Sequence, residues 1–76
     1  IKLLVSTKLM KYRVDDWVGY CALPDVEYFK NERKPALVLA VLDSDPFYDY
    51  KIYIEETQKI KKVREHQLFP MAPPTY

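Results

Sequence analysis

RKPALVLAVL, running from Arg33 to Leu42, sets two cations and a proline ahead of seven apolar residues without a break, Ala36 to Leu42. A helix that short shows polar positions on one side, whereas a strand covered on both faces does not. Pro35 suits the first position of such a strand, where a missing N–H disturbs the ladder least. Ala36–Leu42 therefore reads as the central strand of a small sheet, with Arg33 and Lys34 at its entrance.

Upstream, WVGYCA (Trp17 to Ala22) alternates Trp17, Gly19 and Cys21 against Val18, Tyr20 and Ala22. Both sets are largely apolar, so this is a second, mostly buried strand. Gly19, the one glycine of the chain, predicts a bulge or a sharp coil there. Leu23-Pro24-Asp25 ends the strand, and Val26–Lys34 forms a charged loop with Tyr28 and Phe29 at its middle. Downstream, DSDPFYD (Asp43 to Asp49) is a turn, with Asp or Pro at four of its seven positions. YKIYIE follows, with Tyr50, Ile52 and Ile54 on one face and Lys51, Tyr53 and Glu55 on the other. It pairs as a hairpin with the central strand. Thr57–Glu65 is basic and anchored only by Ile60 and Val63, and Leu68-Phe69 is placed to close the sheet. Segment 1–11 suits either a strand or a short helix. Pro70, Pro73 and Pro74 predict an irregular tail over 70–76. Four to five short antiparallel strands and no helix predict an all-β fold, a small SH3-like barrel, as a single domain over 1–76.

A chain of 76 residues buries only about 60% of the surface that it exposes when unfolded, which favours burial against a partner. Apolar residues make up 49% and charged ones 30%, a balance that excludes a disordered chain. A net charge of +1 means that any nucleic-acid site must come from local clustering. Cys21 is alone, so no internal disulfide and no thiolate metal cage forms, and an intracellular, cytoplasmic setting is expected. No apolar run reaches the length of a membrane-spanning helix. One glycine cannot make a phosphate-cradling loop, no metal-ligand spacing is present, and no cofactor is expected.

Two basic groups remain. Lys30, Arg33 and Lys34 precede the central strand, while Lys59, Lys61, Lys62 and Arg64 follow the third. The hairpin sets both at one end of the sheet, beside Tyr28 and Phe29. Cations with interleaved aromatics suit single-stranded nucleic acid, although a solvated charged rim has the same composition. Tyr28, Phe29, Phe47, Tyr48, Tyr50 and Tyr53 suit either an aromatic cage for a methylated ammonium or ordinary packing. His66, the lone histidine, stands in a polar stretch without a fixed neighbour, and Cys21 sits in a buried strand where thiols are inert.

Asp16-Trp17-Val18, Leu23-Pro24, Lys34-Pro35-Ala36-Leu37-Val38-Leu39 and Thr57-Gln58 together resemble the PemK/MazF toxins over Val14 to Gln58. The resemblance implies a dimeric SH3-like barrel that cuts single-stranded RNA without a metal and is neutralised by an antitoxin peptide lying over the same groove. It places Lys34 where the family has its catalytic arginine, Glu56 at the usual threonine position with Thr57 one place later, and Gln58 on the family glutamine. Asp15 stands where the family has a glycine. Lys34 would then stabilise the phosphate, Thr57 and Gln58 would position it, and Glu56 would serve as base. A lysine keeps the charge but loses the planar two-pronged grip of arginine, and Glu56 departs from the pattern too, so a degenerate relative that only binds is implied nearly as well. Pro35-Ala36-Leu37-Val38, Ile52-Tyr53-Ile54-Glu55 and Leu68-Phe69-Pro70 resemble Tudor and PWWP modules instead. That implies a non-enzymatic reader of methylated lysine or nucleic acid using Tyr28, Phe29 and Tyr53. The start at Ile1 and the proline-rich tail keep a structural domain of a larger assembly as a third expectation.

Overall fold

A computed structural model describes residues 10–73. Among them are five strands and a single turn of 3-10 helix. The strands are β1 (Trp17–Tyr20), β2 (Lys34–Val41), β3 (Tyr50–Ile54), β4 (Lys59–Val63) and β5 (Leu68–Pro70), with the 3-10 turn at Glu65–Gln67. All pairings are antiparallel, in the order β4-β3-β2-β1-β5. The protein is all-β.

That order forces the sheet to curl. β4 and β5 are its two edges, and in a flat sheet they would lie about 19 Å apart at about 4.8 Å per strand. Only Arg64–Gln67 separates Val63 from Leu68, and Glu65–Gln67 are wound into the 3-10 turn. Such a connection reaches roughly 13 Å. The edges are therefore drawn towards each other, and the concave side encloses the core.

Alternation along each strand fills that core. Val18 and Tyr20 of β1, Ala36 and Val38 of β2, Tyr50, Ile52 and Ile54 of β3, Val63 of β4 and Leu68 of β5 are all buried on the inner face. Tyr12 joins them from before β1. Its ring meets that of Tyr50 edge-on, with centroids 5.7 Å apart. The Tyr50 hydroxyl accepts the Tyr12 N–H at 3.0 Å and donates to the Glu65 carboxylate at 2.7 Å. Glu65 also accepts the Lys11 N–H, and its own N–H donates to Asp49. One buried hydroxyl thus ties the entry segment, β3 and the 3-10 turn together.

Several expectations are corrected. The apolar run is not covered on both faces: Ala36 and Val38 are buried, while Leu37, Leu39 and Ala40 are only partly so. Its continuity reflects an outer face that is itself apolar. β2 begins at Lys34, so Pro35 stands second, offering its carbonyl to the Glu55 N–H at 3.1 Å. The bulge falls in β2, between Val38 and Ala40, rather than at Gly19. Gly19 serves close packing instead, because a Cβ there would stand 3.0 Å from the Met71 Cε and 3.3 Å from the Arg33 Cβ. β1 stops at Tyr20, and Cys21 hands its N–H to the Gln67 carbonyl. The basic stretch after Thr57 contains a full strand, β4, held by its register with β3. Pro70, expected in the irregular tail, closes β5. The Asp43–Asp49 turn and the β2–β3 hairpin stand as expected. The strand-or-helix segment at 1–11 and the end of the tail fall mostly outside the described residues.

Candidate functional site

The loop between β1 and β2 is built from three successive i→i+3 hydrogen bonds, Val26 to Leu23, Phe29 to Val26 and Glu32 to Phe29. The Cys21 thiol pins it by donating to the Phe29 carbonyl at 3.1 Å. Across from this loop, β3 turns into β4 through residues 55–58. Gln58 closes the turn at φ 57°, giving its N–H to the Ile54 carbonyl at 2.8 Å. Between loop and turn lies an open groove of about 260 Å³. Leu23, Phe29 and Ile54 make its apolar walls, Tyr20 its floor, and Glu32, Lys34 and Thr57 its polar rim.

Two of the sequence candidates meet directly. Lys34, paired with Tyr20 in the β1–β2 register, holds Glu56 at 2.8 Å. The hydrogen bond that Lys34 donates to Glu56, then the charge of Glu56, raise the Lys34 pKa above the ordinary lysine value. Lys34 is thus a fixed cation and a donor, not a base. Glu56 is held in this ion pair by Lys34. Thr57 lines the groove beside them.

The basic set divides. Lys59 and Lys61 alternate onto the inner face, opposite Ile54 and Ile52. The Lys61 ammonium stands 5.6 Å from the centre of the Tyr20 ring. Lys62 lies on the outer face, opposite Lys51, with the Asp45 carboxylate at 4.0 Å. Arg64 is exposed and leads into the 3-10 turn, its N–H capped by the Gln67 side chain at 3.0 Å. Lys30 pairs with Glu27 at 3.0 Å. Arg33 stacks over the Phe69 ring at 3.9 Å, the outer side of β5. The expected single basic rim is therefore two surfaces, because residues that adjoin in sequence leave a pleated strand on opposite faces.

The aromatics divide too. Tyr28 packs edge-on against Phe29 with centroids 4.8 Å apart, but only Phe29 reaches the groove, and Tyr28 is 81% exposed. Tyr53 pairs with Leu37 and Ile60 on the outer face. Tyr28, Phe29 and Tyr53 do not form a cage. His66 is exposed in the 3-10 turn, and Cys21 is buried. Among the described residues no cluster of His, Cys, Asp or Glu is assembled to hold a metal, and no helix is long and apolar enough to cross a membrane.

Tyr20 is the residue that sequence reasoning missed. Its side chain is 5% exposed, and its hydroxyl is buried with no hydrogen-bond partner. Native structures seldom leave such a group unpaired, and the exceptions call for an explanation. Tyr20 lines the groove with Lys34, its register partner on β2, and its ring lies 5.6 Å from the Lys61 ammonium. Alternation marked Tyr20 as inward-facing, but no sequence signal shows that its hydroxyl lacks a partner. Comparison with protein-family models, curated proteins and solved structures finds no match to this chain.

Proposed function

We propose that this domain binds single-stranded RNA through the groove between the β1–β2 loop and the β3–β4 turn. One observation carries the reading: an open groove walled by Phe29 and Ile54 has Lys34 on its rim and, at its base, Tyr20, whose buried hydroxyl has no partner and whose ring lies 5.6 Å from the Lys61 ammonium. Phosphates need fixed cations, which Lys34, Lys59 and Lys61 supply from the concave side. A base needs an apolar wall, which Phe29 and Ile54 supply, and a hydrogen-bonding group; the Tyr20 hydroxyl, closed to solvent in the free domain, supplies one as the bound base displaces the side chains that cover it. Gln58, Lys62, Arg64, Lys30 and Arg33 play at most a peripheral part from their positions.

The reading is of binding without cleavage. Cutting RNA in the manner implied by the PemK/MazF resemblance requires a base for the 2′-hydroxyl proton. Lys34 is held protonated and Glu56 is engaged by it. Asp15, which stands where the resemblance puts a glycine, has φ 74°, a conformation that glycine favours and Asp tolerates. We take the chain as a relative that keeps the groove and has exchanged the catalytic pair for an ion pair. A homodimer and an antitoxin peptide over the groove are part of the same proposal.

The test is fluorescence anisotropy of a labelled single-stranded RNA in EDTA, with Lys34→Ala and Tyr20→Phe alongside. Saturable binding, weakened by about fivefold or more in each variant with the RNA intact, is the expected result. Discrete cleavage lost in Lys34→Ala would establish a nuclease. Displacement of the RNA by a trimethyl-lysine peptide would assign the groove to the Tudor-like class. Absence of RNA binding at low salt would overturn the reading.

A further inference from the structure

The outer face of the sheet carries a second constellation, independent of the groove. The registers align Trp17, Leu37, Tyr53 and Ile60 in one row across β1, β2, β3 and β4. The first three are only half-buried, and Ile60 is 61% exposed. One register step away on the same face, Lys51 stands directly opposite Lys62, both exposed. An apolar row on the solvent side of a sheet is unusual, and like charges directly across a strand pair destabilise it. Nearby, the Asp45 carboxylate reaches Lys62 only at 4.0 Å. Both costs are relieved by the same kind of partner.

We propose that this face is a docking surface for an amphipathic protein segment that sets acidic residues beside its apolar stripe. The apolar side chains cover the Trp17–Ile60 row, and the carboxylates neutralise Lys51 and Lys62. A second copy of this chain docking by the same face would bring in another Lys51–Lys62 pair, so charge disfavours it. Leu37 separates the Trp17 and Tyr53 rings and Ile60 ends the row, so successive bases find no continuous stacking platform and nucleic acid is disfavoured as well. The row crosses three strand spacings, about 14 Å, which a helix of about nine or ten residues spans.

The experiment is selection from a displayed random-peptide library on the 76-residue chain, followed by amide and indole NMR mapping with a selected peptide. Enriched peptides should interleave Asp or Glu with large apolar residues and should shift the Trp17 indole together with the Ile60 and Lys62 amides. Ile60→Ser, and separately Lys51→Glu with Lys62→Glu, should each weaken the selected peptide by about tenfold or more, at unchanged thermal melting. All these positions are half-buried or exposed, so the variants fold. No enrichment, peptides without acidic residues, unaltered binding to the variants, or shifts confined to Lys34 and Thr57 would each overturn the proposal. So would single-stranded RNA shifting the same outer-face resonances, which would assign the face to nucleic acid.

Discussion

The Tyr50 hydroxyl is the most heavily used polar atom of the core, accepting from Tyr12 and donating to Glu65. Burial first, and then the bond to Glu65, push its pKa up to about 12 from 10.0. A tyrosine whose folded pKa is raised binds its proton more tightly when folded. Its contribution to stability is complete below pH 10 and drains away between about pH 10 and 12. Tyr50→Phe strands the Tyr12 N–H and removes a donor from Glu65. We expect a loss of about 1–3 kcal/mol in urea unfolding at pH 7, and a shallower fall in stability between about pH 10 and 12 than in the parent. Tyr20→Phe should behave in the opposite way. Deleting an unpartnered buried hydroxyl should leave stability unchanged or raise it by about 1 kcal/mol, while weakening RNA binding. A drop in stability in that variant would show that the hydroxyl is already paired and would remove the main support for the groove.

At the level of elements, the β3–β4 turn positions the Lys34–Glu56 pair and does so at a local cost. Gln58 sits at φ 57°, a left-handed conformation that costs a side-chain-bearing residue about 1–2 kcal/mol. Gln58→Gly relieves that strain and raises the entropy of the unfolded chain by a smaller amount, so thermal unfolding should show a net gain of about 0.5–1 kcal/mol. Gly19 in β1 is the converse case. With the Arg33 Cβ 3.3 Å from the site of a new methyl, Gly19→Ala pushes Arg33 off Phe69 and should cost about 1 kcal/mol by chemical denaturation. The Lys34–Glu56 bridge itself is a surface pair and adds little to stability. Lys34→Ala should leave the unfolding transition nearly where it is in the parent, and its effect on binding is therefore interpretable.

For the whole molecule, a net charge of +1 gives no general attraction to polyanions, so the proposed RNA binding rests on the cations on the inner face of the curled sheet. Each phosphate neutralised on a single strand contributes about −0.7 to the slope of log affinity against log salt. If Lys34, Lys59 and Lys61 each meet a phosphate, removing Lys34 should flatten that slope by about 0.7, whereas Lys30→Ala should leave it unchanged because Lys30 pairs with Glu27 on the loop. Equal slopes for the parent and Lys34→Ala would exclude a phosphate contact at Lys34.

The chain's own pattern determined that this is an all-β domain, where the Asp43–Asp49 turn lies, and that Tyr50, Ile52 and Ile54 face inward. These follow from turn chemistry and from the two-residue period of a strand, both of which are local. β4 was less legible, because its cations hide a strand that only its pairing with β3 holds in place. Which cations share a surface was decided by tertiary structure alone. Lys61 and Lys62 part company by the two-residue period of the strand, but which of them joins the inner face with Lys34 is set by the register of β4 on β3. The meeting of Lys34 with Glu56, and the burial of the Tyr20 hydroxyl without a partner, depend on β1, β2 and the β3–β4 turn converging. That convergence comes from a curl set by the short connection between the two edge strands, a constraint acting between residues far apart in the sequence.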